Sequence, residues 1–244
     1  SMGIQPGDRV AGSVANCPQA IIAMLATASL GAIWSSCSPD FGSKGILDRF
    51  TQIKPRLLFC VDGYHYNGKS IDCIRKLQEV SQQLPDAEQV VVIDYLSSTN
   101  NPNHDFVNWQ QFKHHDSKEL TFHRQGFAAP LYIMYSSGTT GQPKCIVHSQ
   151  GGTLIQHAKE HLLHLDLQRD DVLFYYTTCG WMMWNWLVSG LYAGATLVLY
   201  DGSPFYPQPK RLFDLIDEEN ISVFGASAKY YSAAEKAELK PVQT

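Results

Sequence analysis

The sequence predicts an α/β fold of largely parallel βα-unit sheets with flanking helices. Short β-branched or aromatic runs alternate with stretches of helical period along most of the chain. A hydroxyl- and glycine-rich loop joins two of those runs near the middle. The 244 residues are 44% hydrophobic and 17% charged, an ordinary globular composition with length for one large or two modest domains.

Taken in order, the turn Pro6-Gly7-Asp8 leads straight into a first strand at 9–13. A helix follows at 18–30: Pro18 suits an early helical position, Ile21, Ile22, Leu25 and Leu30 share a broad face, and Gly31 ends it. Further strands are expected at 32–35, 57–61, 90–94, 131–135, 145–148, 172–176, 196–200 and 222–224. Helices are expected between them at 46–53, 71–84, 152–165, 183–192, 209–218 and 229–239. Residues 97 to 126 mix Asn, His, Asp, Ser and Pro without a period, so they read as an irregular connection between two halves. No internal repeat is visible.

A net charge of −4, with 19 Lys and Arg scattered without a basic block, offers no field to gather nucleic acid or an anionic membrane. Small-molecule chemistry is expected instead. Cysteines 17, 37, 60, 73, 145 and 179 are widely spaced, form no C-x-x-C pair and sit mostly in apolar runs, which suggests reduced, buried thiols in a cytosol-like compartment. The apolar stretches fall short of the roughly 18 to 20 residues that span a bilayer. Ser1-Met2 reads as a cloning scar, and both ends break off in mid-pattern, so residues 3–244 are expected to be a fragment.

The segment richest in chemistry is the loop Ser136-Ser137-Gly138-Thr139-Thr140-Gly141-Gln142-Pro143-Lys144. Ser136, Ser137, Thr139 and Thr140 offer hydroxyl donors, while Gly138 and Gly141 permit positive φ and let backbone N–H groups converge on an anion. Lys144 adds a mobile cation, and Pro143 stiffens the exit. A Walker A loop would place Gly-Lys-Ser/Thr at the end; here Gln142 follows Gly141 and the lysine follows proline, so that pattern fails. A flexible Ser/Gly linker is the bland alternative, disfavoured by the flanking strands and the terminal lysine.

This loop resembles the signature of the adenylate-forming superfamily of acyl-CoA synthetases, luciferases and peptide-synthetase adenylation domains. The segment from Leu25 to Phe41 resembles an earlier motif of that superfamily, Thr177 to Trp186 its aromatic segment near the acyl pocket, and Gly190 to Tyr200 the strand that follows. These anchors cover nearly the whole chain in family order, which implies a partial N-terminal domain of an adenylate-forming enzyme. Lys144 to His148, Lys159 to Asp166 and Thr178 to Trp186 are most similar to the acetoacetate-activating branch, with acetate-activating enzymes as near neighbour. Cys145 stands where many family loops have glycine, a departure that itself resembles the acetoacetate branch.

The resemblance implies an AMP-forming acid:CoA ligase using ATP, Mg²⁺ and CoA. It implies that Ser136, Ser137, Gly138, Thr139, Thr140 and Gly141 hold the β- and γ-phosphates and that Lys144 assists catalysis. It places Trp181, Met182 and Met183 beside the acyl chain, and Gly225, Ala226 and Ser227 near the acyl group and the pantetheine tunnel. For the last three, a tight βα turn is an equal reading. The family's ribose-binding aspartate, its aromatic-Gly-x-Thr-Glu segment and its C-terminal lysine are not found, so this fragment is expected to be inactive alone. A second class stays open: a nucleotide-binding or interaction module that keeps only the family's shape.

Histidines 157, 161 and 164 fall on one expected helix. Positions 157 and 161 could bracket a metal, but no third ligand or H-E-x-x-H order accompanies them. They are read as a solvated polar face, with Leu154, Ile155, Leu162 and Leu165 turned to the core, and no metal site is expected. His148 is read as a structural histidine or a second-layer orienting group, and Cys145 as a strand residue without a base to activate it.

Overall fold

The computed structural model describes residues 3–96, 106–113, 120–136 and 141–240. Ser137, Gly138, Thr139 and Thr140 of the expected phosphate loop lie outside the described residues.

The first half runs β1 (Arg9–Ser13), α1 (Pro18–Ser29), β2 (Ile33–Cys37), α2 (Ser43–Ile53), β3 (Leu57–Val61), β4 (Gly63–Tyr66), β5 (Lys69–Asp72), α3 (Ile74–Gln82) and β6 (Gln89–Ile93). β7 (Val107–Asn108), α4 (Trp109–Phe112), β8 (Pro130–Tyr135) and β9 (Cys145–Ser149) complete a seven-stranded sheet of order β7-β6-β3-β1-β2-β8-β9. Its pairs are parallel except β8 with β9. The second half runs α5 (Gln150–Lys159), a π-helical turn (Glu160–His164), β10 (Val172–Tyr175), α6 (Met182–Ser189), a 3-10 turn (Gly190–Ala193), β11 (Thr196–Val198), α7 (Arg211–Glu218), β12 (Val223–Gly225) and α8 (Ala228–Lys236). β11-β10-β12 form a second, parallel sheet.

Alternation explains why the central strands are apolar throughout. Along β3, Leu57, Phe59 and Val61 enter a core with α1 residues Ala20, Ile21 and Met24, while Leu58 and Cys60 enter a core with Ile46, Phe50 and Ile53 of α2 and Leu77 of α3. Successive side chains point to opposite faces, so a strand covered on both sides must be hydrophobic at every position. Truncating a fully buried residue such as Leu58 to alanine would cost about 2–5 kcal/mol.

Each strand expected from the sequence is present, its ends shifted by at most two residues. Three local expectations are corrected. The buried face of α1 is Ala20, Ile21, Ala23, Met24 and Thr27; Ile22, Leu25 and Leu30 are exposed, because small residues let the helix lie close on the sheet. The helix expected from 71 starts at Ile74, since 63–72 form the antiparallel β4–β5 hairpin. Its turn is Asn67-Gly68, both at positive φ (48° and 74°), as a tight primed turn demands. Within 97–126, β7 and α4 are ordered by aromatic packing: Trp109 and Phe112 set their rings against Phe59 at 5.8 and 5.4 Å.

Candidate active site

The phosphate-loop candidate leaves the carboxyl end of β8 and returns as antiparallel β9. Its base is closed by two bonds across the mouth: Ser136 N donates to Lys144 O at 3.0 Å, and Lys144 N donates to Ser136 Oγ at 3.2 Å. α2 holds the returning limb, because Gln52 Nε2 donates to Pro143 O at 2.8 Å and Gln142 Nε2 donates to Asp48 O at 3.2 Å. Gly141 has φ +153°, a backbone value disfavoured for side-chain-bearing residues. Lys144 is exposed and makes no ion pair among the described residues, so its ammonium is free to reach an anion.

Beneath the loop, Tyr135 O–H donates to Arg49 O at 3.3 Å and lies 3.2 Å from Ser35 Oγ, whose own proton goes to Ile133 O at 2.9 Å. The Arg49 guanidinium packs over the Tyr135 and Phe41 rings at 5.6 and 4.6 Å. Burial pushes the Tyr135 phenol up, and it acts here as a neutral donor. These contacts fix the loop's departure point on the sheet.

The second candidate group begins α6. Trp181 caps the helix without a side-chain bond and is 60% exposed, while Met182 and Met183 form its first turn. Buried bonds tie this helix start to the first sheet: Ser36 Oγ donates to Cys179 O at 2.7 Å, Trp184 Nε1 to Asn16 Oδ1 at 2.9 Å, and Asn185 Nδ2 reaches Met134 Sδ at 3.1 Å. Trp184 is fully buried, and Trp186 is partly buried.

Met182 and Met183 open into a cavity of about 430 Å³ together with Gly225, at the carboxyl end of β12. Leu173, Tyr175 and Trp186 form other parts of its wall. Gly225 is required by close approach: a Cβ there would run into the Tyr175 ring. The structure therefore brings Met182, Met183 and Gly225 together, while Trp181, Ala226 and Ser227 lie outside this lining. Ser227 Oγ instead accepts from Tyr230 N at 3.3 Å and caps α8, as the βα-turn reading expects. The loop after β8, the segment after β10 that leads to Trp181, and Gly225 of β12 all sit at carboxyl ends of strands, where open α/β sheets bind ligands.

The expected polar face of α5 is inverted. His157 and His161 are 3% and 0% exposed, whereas Leu154, Ile155 and Leu162 are 52%, 62% and 40% exposed. His161 lies 4.4 Å from the Trp186 ring, and its Nε2 faces Trp186 O at 2.9 Å and Ser189 Oγ at 3.0 Å. Bonded through Nε2 and stacked on indole, this imidazole is buried, so aromatic packing from α6 outweighed the hydropathy of the leucine face. Burial, reinforced by the neighbouring His161, pushes the His157 imidazole down to about 4. No group of three His, Cys, Asp or Glu among the described residues could hold a metal. His148 lies 5.1 Å from the Tyr132 ring, with its imidazole lowered by burial.

All six thiols are free; five are buried and Cys145 is exposed. Partial burial raises the Cys145 thiol, which opposes a nucleophilic role. Sequence reasoning missed His157 as a cavity residue. Its spacing from Met182 is long, and only the pairing of α5 with α6 brings the two onto one wall. No helix among the described residues is long and apolar enough to cross a membrane.

Residues 1–241 match the family model described as AMP-binding enzyme. The chain is 52% identical to an acetoacetyl-CoA synthetase of Gallus gallus, over 100% of the chain and 38% of the relative. It is 48% identical to a malonamoyl-CoA synthetase of Penicillium aethiopicum, over 99% of the chain and 36% of the relative. An acetoacetyl-CoA synthetase from Streptomyces lividans superposes with a TM-score of 0.93 at 45% identity, over 99% of this chain and 37% of that one. The chain thus spans little more than a third of the length of the proteins it matches.

Proposed function

The chain belongs to the AMP-binding enzyme family, and from that premise we propose that the whole protein is an acid:CoA ligase that activates acetoacetate. The observation that carries the reading is the small, largely apolar cavity of Met182, Met183 and Gly225, set at carboxyl ends of strands in a chain that also bears the Ser136 to Lys144 loop. Such a cavity suits a short acyl chain whose charged end must meet a nucleotide phosphate outside it. The names of the relatives add weight: acetoacetyl and malonamoyl groups both carry a carbonyl on the third carbon.

In the first step an oxygen of the acid's carboxylate attacks the α-phosphorus of ATP, and the bond to the departing pyrophosphate breaks. In the second, the CoA thiolate attacks the acyl carbon and the bond to AMP breaks. Both partners of the first step are anions, so the main task is electrostatic. Lys144 supplies a mobile positive charge, and Ser136, Ser137, Gly138, Thr139, Thr140 and Gly141 supply hydroxyl and backbone donors to the β- and γ-phosphates. The bonds across the loop mouth between Ser136 and Lys144 preset its width. Under this reading Trp181 serves the mouth of the acyl site, and Ala226 and Ser227 flank the path of the pantetheine.

Mg²⁺ is a hard cation that prefers oxygen ligands and phosphates. The described residues offer hydroxyls near the loop but no carboxylate cluster, so they do not form a cage for it, and no step is assigned to it on this part of the chain.

The test is ATP- and CoA-dependent pyrophosphate release by the full-length protein, comparing acetoacetate with acetate, propionate and butyrate. Release that is fastest with acetoacetate is expected. No release with any acid would leave the non-catalytic nucleotide-binding module as the correct reading.

A further inference from the structure

His157 is a polar group of the cavity with unused hydrogen-bonding capacity. It is 3% exposed, lines the cavity beside Met182, Met183 and Trp186, and its Nδ1 is buried without a partner. No described residue hydrogen-bonds its other ring nitrogen either. Three other polar lining groups are engaged: Gln156 Nε2 donates to Glu160 Oε1 at 2.9 Å, Glu160 pairs with Lys159 at 3.0 Å, and the Tyr175 hydroxyl reaches Ala226 O at 3.5 Å.

A buried N–H without an acceptor costs more than a buried lone pair without a donor. The enclosed Nδ1 therefore carries the lone pair, which places the single proton of the neutral imidazole on Nε2. The depressed basicity of this ring agrees with its remaining neutral, and hence in one tautomer, at physiological pH. His157 then offers an N–H donor to the cavity beside the apolar Met182 and Met183, an arrangement that orients an acyl chain carrying an acceptor oxygen and gains nothing from a plain hydrocarbon chain.

Resting on the ligase reading above, we propose that His157 is a specificity-determining residue that donates its ring N–H to the 3-oxo oxygen of the acid, selecting 3-oxo acids over saturated acids of equal length. The relevant comparison is acetoacetate with butyrate, which keeps the four carbons and lacks the acceptor.

The experiment measures kcat/KM for both acids by pyrophosphate release, using the full-length protein and its His157→Phe and His157→Gln variants. Phenylalanine keeps a ring beside His161 but removes the donor; glutamine places an amide N–H near the position of Nε2. The acetoacetate-to-butyrate ratio is expected to fall about 10- to 100-fold in H157F and to recover at least partly in H157Q. An unchanged ratio in H157F overturns the proposal, as does an equal fall in both variants. Should neither variant fold, the wild-type ratio decides: about tenfold or more in favour of acetoacetate supports the donor, and a smaller ratio overturns it. Failure of the wild type to release pyrophosphate with either acid would instead refute the ligase reading, so the two failures are distinguishable.

Discussion

Buried neutral imidazoles make the stability of this chain fall on mild acidification. His157 drops from 6.5 to about 4 on folding, with burial as the main cause. A histidine with a depressed native pKa binds more protons when unfolded, so its contribution is fully present above 6.5 and is lost as the pH falls from 6.5 toward 4. At about 1.4 kcal/mol per pH unit, the full loss below both values is about 3 kcal/mol, of which about 2 kcal/mol is gone by pH 5. His161 and His148, both lowered by burial, act with the same sign. Carboxylates held low by partners, such as Asp8 by the Gln5 backbone N–H and Arg56 against its partial burial, and Asp171 by the Gln168 backbone N–H and Ser222, lose stability only at lower pH, below the ordinary carboxylate range.

The assay is urea unfolding followed by circular dichroism at pH 7.5 and pH 5, on the wild-type chain and on His157→Gln. Glutamine does not titrate, so subtracting the two pH responses isolates His157. The wild type should lose about 2 kcal/mol more than the variant between the two pH values. An equal loss in both proteins would refute the assignment of His157 as a buried, neutral group.

Lys144→Ala in the full-length protein should slow adenylation by about 100-fold and leave thioester formation from supplied acyl-adenylate nearly intact; equal loss of both half-reactions, read by quenched flow, would contradict its role. Gly225→Val drives a side chain into the space of the Tyr175 ring, so kcat/KM for acetoacetate should fall about 10- to 200-fold while ATP binding, followed by nucleotide protection, persists. Trp184→Ala removes a fully buried indole and its bond to Asn16, and should cost about 3–5 kcal/mol in urea unfolding. With five of six thiols buried, a disulfide-exchange reagent should label one cysteine quickly, Cys145 by peptide mapping, and the rest only after denaturation.

The sheet was legible because burial on both faces leaves a strong trace: Leu57 to Val61 and Gln89 to Ile93 cannot be anything but covered strands once α1, α2 and α3 are placed. The β4–β5 turn was missed, although Asn67-Gly68 is the pair a tight primed turn favours, because the run after it has helical period. What period alone could not give was the choice between two plausible buried faces. On α5 and the π-helical turn that continues it the leucines looked like the core and the histidines like the surface, yet the surface met by His161 of that turn is aromatic and hydrogen-bonding, formed by Trp186 and Ser189 of α6. The identity of a packing partner is a tertiary property, and hydropathy summed along one helix carries no knowledge of it. Composition alone singled out the Ser136 to Lys144 loop as a candidate, whereas Met182, Met183 and Gly225 needed the family resemblance, since thioether and glycine side chains carry no chemistry of their own.

Placement of the Met182–Met183–Gly225 cavity relative to the β8 carboxyl end depends on how the second sheet is registered on the first. The contacts that set it are polar and buried: Ser36 to the Cys179 carbonyl, Trp184 to Asn16, and Asn185 to the Met134 sulfur. Apolar packing alone tolerates small slides of one layer over another, but a buried donor moved off its acceptor keeps its desolvation cost and loses its bond. These three bonds fall within 179–185, the same stretch that delivers Met182 and Met183 to the cavity, and the Met134 contact lies on the strand that ends one residue before Ser136. A shift of α6 would therefore break buried bonds before it could carry the acyl wall away from the β8 carboxyl end. Preorganisation of this kind is what the proposed reaction requires, because its carboxylate and phosphate must be brought to reacting distance against their mutual repulsion.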